Sequence, residues 1–338
     1  MPEPPAGEVV TTGLRDHPAI RAWAGLRPER VEPERIDVLK GRKGSARRSA
    51  YRLVGVGPGG SAVIAKRYRR AKGLLERAVY EEVLPHLPLT RPHYYGCVED
   101  SADACCWLFL EDVGSDEYAA SLAEHRRLAG RWLGRLHSLA ARVAPVARWP
   151  DLGPGHYLQR LRSARDRIGD SLGNPALGAD DRDVLGEIRS DCGALEEHWG
   201  RVEAACADMP RTLTHGDFAP KNIRVRAEAS GLVLLPFDWG NAGWGVPAVD
   251  LAQALVPARG FAANPDLAAY AAAVRDAWPG ADLPAVERWA VLGTLFRSLV
   301  AITWEARGLT TEWVDQPMAR LPIYQAALTQ ARQSGDWE

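Results

Sequence analysis

Apolar and polar residues alternate with period two over residues 62–68 (Ala-Val-Ile-Ala-Lys-Arg-Tyr), which predicts a half-buried strand. A helical spacing follows at Leu75, Val79, Val83 and Leu84, so the next element is a helix over 74–84. Upstream, two apolar stretches within 39–54 flank a Gly, Ser and basic turn and predict a hairpin. The glycine cluster 55–60 is the turn into the following strand. An uninterrupted apolar run, 105–110, ends in acidic residues and predicts a buried strand. Helical patterns then cover 120–139, 156–168 and 180–206, with the Gly/Asn/Pro-rich stretch 169–178 separating the last two. Short apolar runs bracket the loop at 215–222 and the turn at 227–231, and a late apolar helix spans 289–304, interrupted only by Arg297.

A few polar residues stand out against this background because they sit where apolar runs end. Asp217 follows a short run in Leu-Thr-His-Gly-Asp-Phe-Ala-Pro-Lys-Asn, where a strand would deliver its carboxylate onto a loop. There it can accept the proton of an attacking hydroxyl. Asn222 offers a neutral oxygen five residues on, and Asp238 closes the next apolar run with a hard carboxylate suited to Mg²⁺. One hairpin thus carries a base and two metal ligands. Singly, each would read as a turn or cap residue; their order and spacing make a site.

His215-Gly-Asp217, Asn222 and Phe237-Asp238-Trp239 resemble the catalytic and metal motifs of the aminoglycoside phosphotransferase and choline kinase superfamily. Protein kinases carry His-Arg-Asp and Asp-Phe-Gly at these places, so His-Gly-Asp and Asp-Trp-Gly point to the small-molecule branch. The resemblance implies an α+β, protein-kinase-like bilobal fold. Residues 1–111 would form a β-rich nucleotide-binding lobe, and 112–338 a mainly helical lobe with the catalytic loop, metal site and acceptor pocket. It implies that Lys66 contacts the α- and β-phosphates, paired with Glu76 on the next helix. Gly44 and Ser45 would lie in the loop over the nucleotide, and backbone groups near Leu110, Glu111 and Val113 would meet the purine edge. Asp250, in an Asp-Leu-Ala setting, would brace the loop. The expected co-substrates are ATP or GTP with Mg²⁺.

Composition narrows this further. With 338 residues and 46% hydrophobic content the chain can bury a large core. A net charge of −1 argues against a dedicated nucleic-acid or membrane-surface binder. Five cysteines without metal-ligand spacing read as reduced cytoplasmic thiols, and the Pro-rich start lacks a secretory pattern. The acceptor is less legible. The carboxylates of 180–197 could meet a polycation, but interspersed Arg182, Arg189 and Arg201 cancel that field. Trp239 and Trp244 could stack on a sugar or cage an ammonium group, and Trp304 and Asp315 are further acceptor candidates. The expectation is a kinase acting on a hydroxyl of a sugar-containing natural product, as in antibiotic inactivation. A metabolic kinase of the choline, homoserine, thiosugar or fructosamine type is the alternative within enzymes, and a catalytically silent nucleotide-binding module the alternative outside them.

Overall fold

The protein, seen in a computed structural model, is described over residues 7–27, 32–40, 49–100, 103–142, 149–254, 261–335 and 337. Two compact units emerge: Met1–Asp116 with Arg224–Asn241, and Glu117–Ile223 with Ala242–Glu338. The division falls a few residues after the 111/112 boundary and assigns residues 224–241 to the first unit. The reason is local bonding. Arg226 pairs with Glu111 at 2.5 Å, and Thr90 Oγ1 donates to the carbonyl of Leu234 at 2.6 Å.

In the first unit, β1 (Val9–Val10), α1 (Pro18–Ala24), β2 (Arg35–Lys40), β3 (Ser49–Val54), β4 (Val63–Arg69), α2 (Arg70–Ala78), β5 (Tyr94–Asp100) and β6 (Cys105–Glu111) follow in order. The six strands form one antiparallel sheet, ordered β1-β2-β3-β4-β6-β5. Alternation along β4 decides what each face does. Val63 and Ala65 enter a core with Ile20, Trp23, Leu53 and Phe109, so Lys66 and Tyr68, two residues apart, project together from the opposite face. Glycine at position 73 lets α2 lie close on β6, since a Cβ there would stand 1.9 Å from Cys106 Sγ. Beyond α2 the helix widens into a single π-type turn at Val79–Val83.

The second unit holds α3 (Ala123–Ala140), β7 (Asp151–Leu152), α4 (Pro154–Ser171), α5 (Ala179–Glu197), α6 (Trp199–Ala207), β8 (Thr212–Thr214), β11 (Gly243–Gly245), α7 (Leu267–Val274), α8 (Leu283–Glu305) and α9 (Asp315–Ser334). The intervening hairpin is β9 (Ile223–Glu228) and β10 (Gly231–Pro236). The helix expected over 180–206 is two helices, because His198 leaves helical geometry at φ −102°, ψ 12°. Burial of Tyr157, Leu161, Leu185, Ile188, Phe296 and Leu299 makes one core under α4, α5 and α8, and Tyr157 stacks on Phe296 with centroids 3.9 Å apart. Gly293 seats α8 directly on the segment Pro247–Leu251, where an added Cβ would meet the Ala248 carbonyl oxygen at 1.9 Å. Among the described residues no helix is long and apolar enough to cross a membrane.

Candidate active site

The first unit gathers three of the residues singled out from sequence. Lys66 Nζ donates to Glu76 Oε1 at 3.1 Å and lies 3.6 Å from Asp238 Oδ1. Glu76 is fully buried; burial pushes its carboxyl above the ordinary value, against the pull of Lys66 and with a further push from Asp238. Two carboxylates therefore share one ammonium. Asp238 has φ 71°, a left-handed conformation rare outside glycine. A fourth member, Tyr68, was not foreseen: its hydroxyl donates to Asp238 Oδ1 at 2.8 Å. Burial, then Glu76 and Asp238, raise its pKa well above the ordinary tyrosine value, so it stays a donor. Its place two residues after Lys66 was the available signal, but an apolar-looking strand position reads as core.

The second unit organises the loop after β8. Asp250, almost fully buried, accepts from the backbone N–H of His215 at 2.6 Å and of Gly216 at 2.9 Å. Asp250 also accepts from His137 Nε2 at 3.2 Å, while His137 Nδ1 meets the Tyr270 hydroxyl at 3.0 Å. A carboxylate can only accept, so that network fixes a proton on Nε2. The Asp217 N–H donates to His215 Nδ1 at 3.3 Å, which places the histidine beneath the loop.

Asp217 itself is surrounded by donors. Arg297 Nη2 donates to Oδ1 at 2.8 Å and to the Phe261 carbonyl at 2.9 Å, and Nη1 donates to the Gly216 carbonyl at 3.0 Å. Lys221 Nζ stands 3.0 Å from Oδ2. Asn222 Nδ2 donates to Oδ2 at 3.0 Å and to the Asp217 carbonyl at 2.9 Å, which leaves the amide oxygen as the atom for a cation. Burial alone would raise the Asp217 pKa, but Arg297, Lys221 and His215 hold it below the usual carboxylate range. Neither cation was identified from sequence. Arg297 did interrupt an apolar helix, and a charge inside a buried run needs a partner.

Other expectations are revised. Gly44 and Ser45 lie outside the described residues. Leu110 is paired in the sheet with both Ile64 and Tyr94, and the Glu111 N–H donates to the His93 carbonyl at 2.8 Å. The Glu111 N–H is thereby engaged within the sheet, and Val113 lies just beyond the end of β6. Trp239 has no exposed surface and cannot stack on an acceptor. Trp244 is half-buried in β11, while Trp304 is 53% exposed and Asp315 opens α9 exposed.

Each unit offers one oxygen donor of the kind singled out from sequence, the Asp238 carboxylate in the first and the Asn222 amide oxygen in the second, and no cluster of three or more His, Cys, Asp or Glu exists among the described residues. Oxygen donors of this kind suit Mg²⁺, which keeps several waters.

An ion-paired strand lysine with an aspartate beside it, and a loop at Asp217 braced from below by Asp250, stand on an antiparallel sheet followed by helices, which is a protein-kinase-like architecture. The sequence profile of the phosphotransferase enzyme family (APH) matches residues 38–289, and the chain belongs to that family. Solved structures agree on the fold. An aminoglycoside 2′-phosphotransferase-IIIa bound to GDP shares 13% identity at a TM-score of 0.59, covering 90% of this chain and 97% of that one. A choline kinase from Cryptosporidium parvum Iowa II shares 10% identity at 0.57, covering 89% and 91%. An APH(2″)-IIa in complex with streptomycin and ATP shares 13% at 0.56, covering 91% and 97%. No curated protein sequence matches this one.

Proposed function

We propose that the protein is a small-molecule kinase that transfers the γ-phosphate of ATP or GTP to a hydroxyl of a sugar-containing natural product, as an inactivating or self-resistance enzyme would. The observation that carries this reading is the donor cage on Asp217, whose carboxylate takes Arg297 on one oxygen and Lys221 with Asn222 on the other. A carboxylate held in this way orients a hydroxyl and accepts its proton late, which suits a loose phosphoryl-transfer transition state. Lys66, braced by Glu76, would hold the α- and β-phosphates, with Asp238 and Asn222 as ligands of Mg²⁺. Bound there, Mg²⁺ would offset charge on the phosphates. Tyr68 keeps the Asp238 carboxylate aimed, and Lys221, on an exposed stem, can yield its oxygen to the arriving hydroxyl. The intact set of Lys66, Asp217, Asn222 and Asp238 speaks for an active enzyme rather than a silent binding module, and the expected location is the cytoplasm.

The test is nucleotide turnover by the purified protein with Mg²⁺, ATP or GTP and pooled hydroxyl compounds. Pools should include aminoglycosides, nucleoside and peptide antibiotics, choline, homoserine and sugars. Acceptor-dependent diphosphate release, with one added phosphate mass on one compound, supports the proposal. Absence of Mg-nucleotide binding overturns it.

A further inference from the structure

The face of α8 that carries Arg297 continues past the catalytic loop. Ala301 and Trp304 follow at one and two turns, so Trp304 leaves the helix on the same side, about 10 Å further along. It is 53% exposed, and the Arg307 guanidinium lies 4.9 Å from its ring centroid. α4 runs beside α8: Tyr157 stacks on Phe296, and Thr303 Oγ1 donates to the Arg160 carbonyl at 2.9 Å. This register sets Arg160 and Arg167 near Arg307. Burial and then the repulsion of Arg167 and Arg160 lower the Arg307 pKa from its ordinary value.

Among the described residues none of these three arginines forms an ion pair. Arg160 Nε donates to His156 Nε2 at 3.3 Å, and Arg167 Nε donates to Ser163 Oγ at 3.2 Å. Burial, then Arg160, lower the pKa of His156 to about 4, so it offers a lone pair and no negative charge. By contrast, Arg162, Arg165 and Arg320 each hold a carboxylate. Three guanidiniums near enough for two to act on the third, beside an exposed indole, form a positive patch without a carboxylate of its own, and the guanidinium fork matches phosphate and carboxylate oxygens.

We propose that Arg160, Arg167, Arg307 and Trp304 form the acceptor subsite, and that the acceptor carries an oxyanion, phosphate or carboxylate, next to a ring that lies on Trp304. The inference rests on Asp217 as the hydroxyl-orienting residue. Trp304 follows about 10 Å along α8 from Arg297, the arginine that holds Asp217, so one small glycosylated or nucleoside-like molecule would span the two. A polycationic acceptor would instead bring its ammonium groups against three arginines.

The experiment is titration calorimetry of the full chain, with and without saturating Mg²⁺ and a non-hydrolysable nucleotide, using phenyl phosphate, benzoate and benzylammonium as probes. The expected result is binding of the anionic probes and none of benzylammonium. The double variant Arg160→Ser/Arg307→Ser should weaken anion binding at least tenfold, with nucleotide affinity and melting temperature unchanged. Preference for phenyl phosphate assigns a phosphorylated acceptor, and preference for benzoate a carboxylic one. No binding of either anion, equal binding to the double variant, or preference for benzylammonium would overturn the proposal. Because binding is read without turnover, failure of the kinase reading shows separately, as absent nucleotide binding.

Discussion

The charged clusters of the two units are built on opposite surpluses. In the first, Glu76 and Asp238 share Lys66, and burial drives Glu76 upward. In the second, Asp217 faces Arg297 and Lys221 and is driven downward. The first cluster sets two carboxylates against Lys66 and the second sets one carboxylate against two cations, the contrast on which the proposed metal–phosphate and hydroxyl-aiming roles rest. Similar residue types thus acquire different chemistry from the ratio of partners, not from their identity.

The contrast can be broken most directly at its two aspartates. Asp217→Asn should lower kcat by about 10³-fold, within the usual range for loss of a base, while nucleotide affinity holds. Asp238→Asn should weaken Mg-nucleotide binding as well as turnover. If titration showed Asp217→Asn losing nucleotide and Asp238→Asn keeping it, the two roles would be exchanged.

Arg297 comes next. Arg297→Met leaves a buried carboxylate with one exposed cation, and should cost about 3 kcal/mol in urea unfolding together with most turnover. Arg297→Lys should recover part of the stability, and less of kcat, because an ammonium cannot span Asp217, Gly216 and Phe261 at once. Equal kcat in the Lys and Met variants would show that charge, not the fork, matters.

Tyr68→Phe probes the other cluster more gently. A hydrogen bond to a charged group is worth roughly 1.5–3 kcal/mol, so its loss should appear as a tenfold or greater rise in the Mg²⁺ requirement together with a loss of fold stability of that order. An unaltered Mg²⁺ dependence would remove Tyr68 from the positioning set.

The smallest effect tests how far the positive surplus of the second unit extends. The pKa of His156 falls from 6.5 to about 4 through burial and Arg160. An unfolded chain takes up this proton below about pH 6.5 and the folded chain only near pH 4. The stabilising contribution is therefore complete above pH 6.5 and lost as pH falls toward 4. His156→Gln should flatten the melting-temperature profile across that window; an unchanged slope would place the acid sensitivity elsewhere.

Local pattern was enough to put Lys66 within a strand and Asp217 and Asp238 just past the ends of two others, because alternation marks β4 and the apolar runs of β8 and β10 stop where the chain must turn. It was also enough to place the late buried helix, which the structure extends to Leu283–Glu305. Arg297 was legible only as an anomaly, since its partner lies 80 positions away and nothing local says which carboxylate it meets. Tyr68 was hidden by the opposite problem, a tyrosine in a strand being an ordinary core residue until its hydroxyl finds Asp238. The break at His198 had no proline to announce it. Trp239 was over-read: proximity in sequence to Asp238 does not keep a large ring at the surface.

Gly293 gives the last lesson. Four residues before Arg297 it lets α8 touch the very segment that carries Asp250, so one helix indexes both the arginine on the Asp217 carboxylate and the aspartate beneath its loop. The alignment of the site is therefore kept by an absent carbon. Adding a single methyl there would disable the loop as surely as removing a functional group, which makes this glycine a tolerance in the engineering sense: the fit it sets is smaller than any side chain.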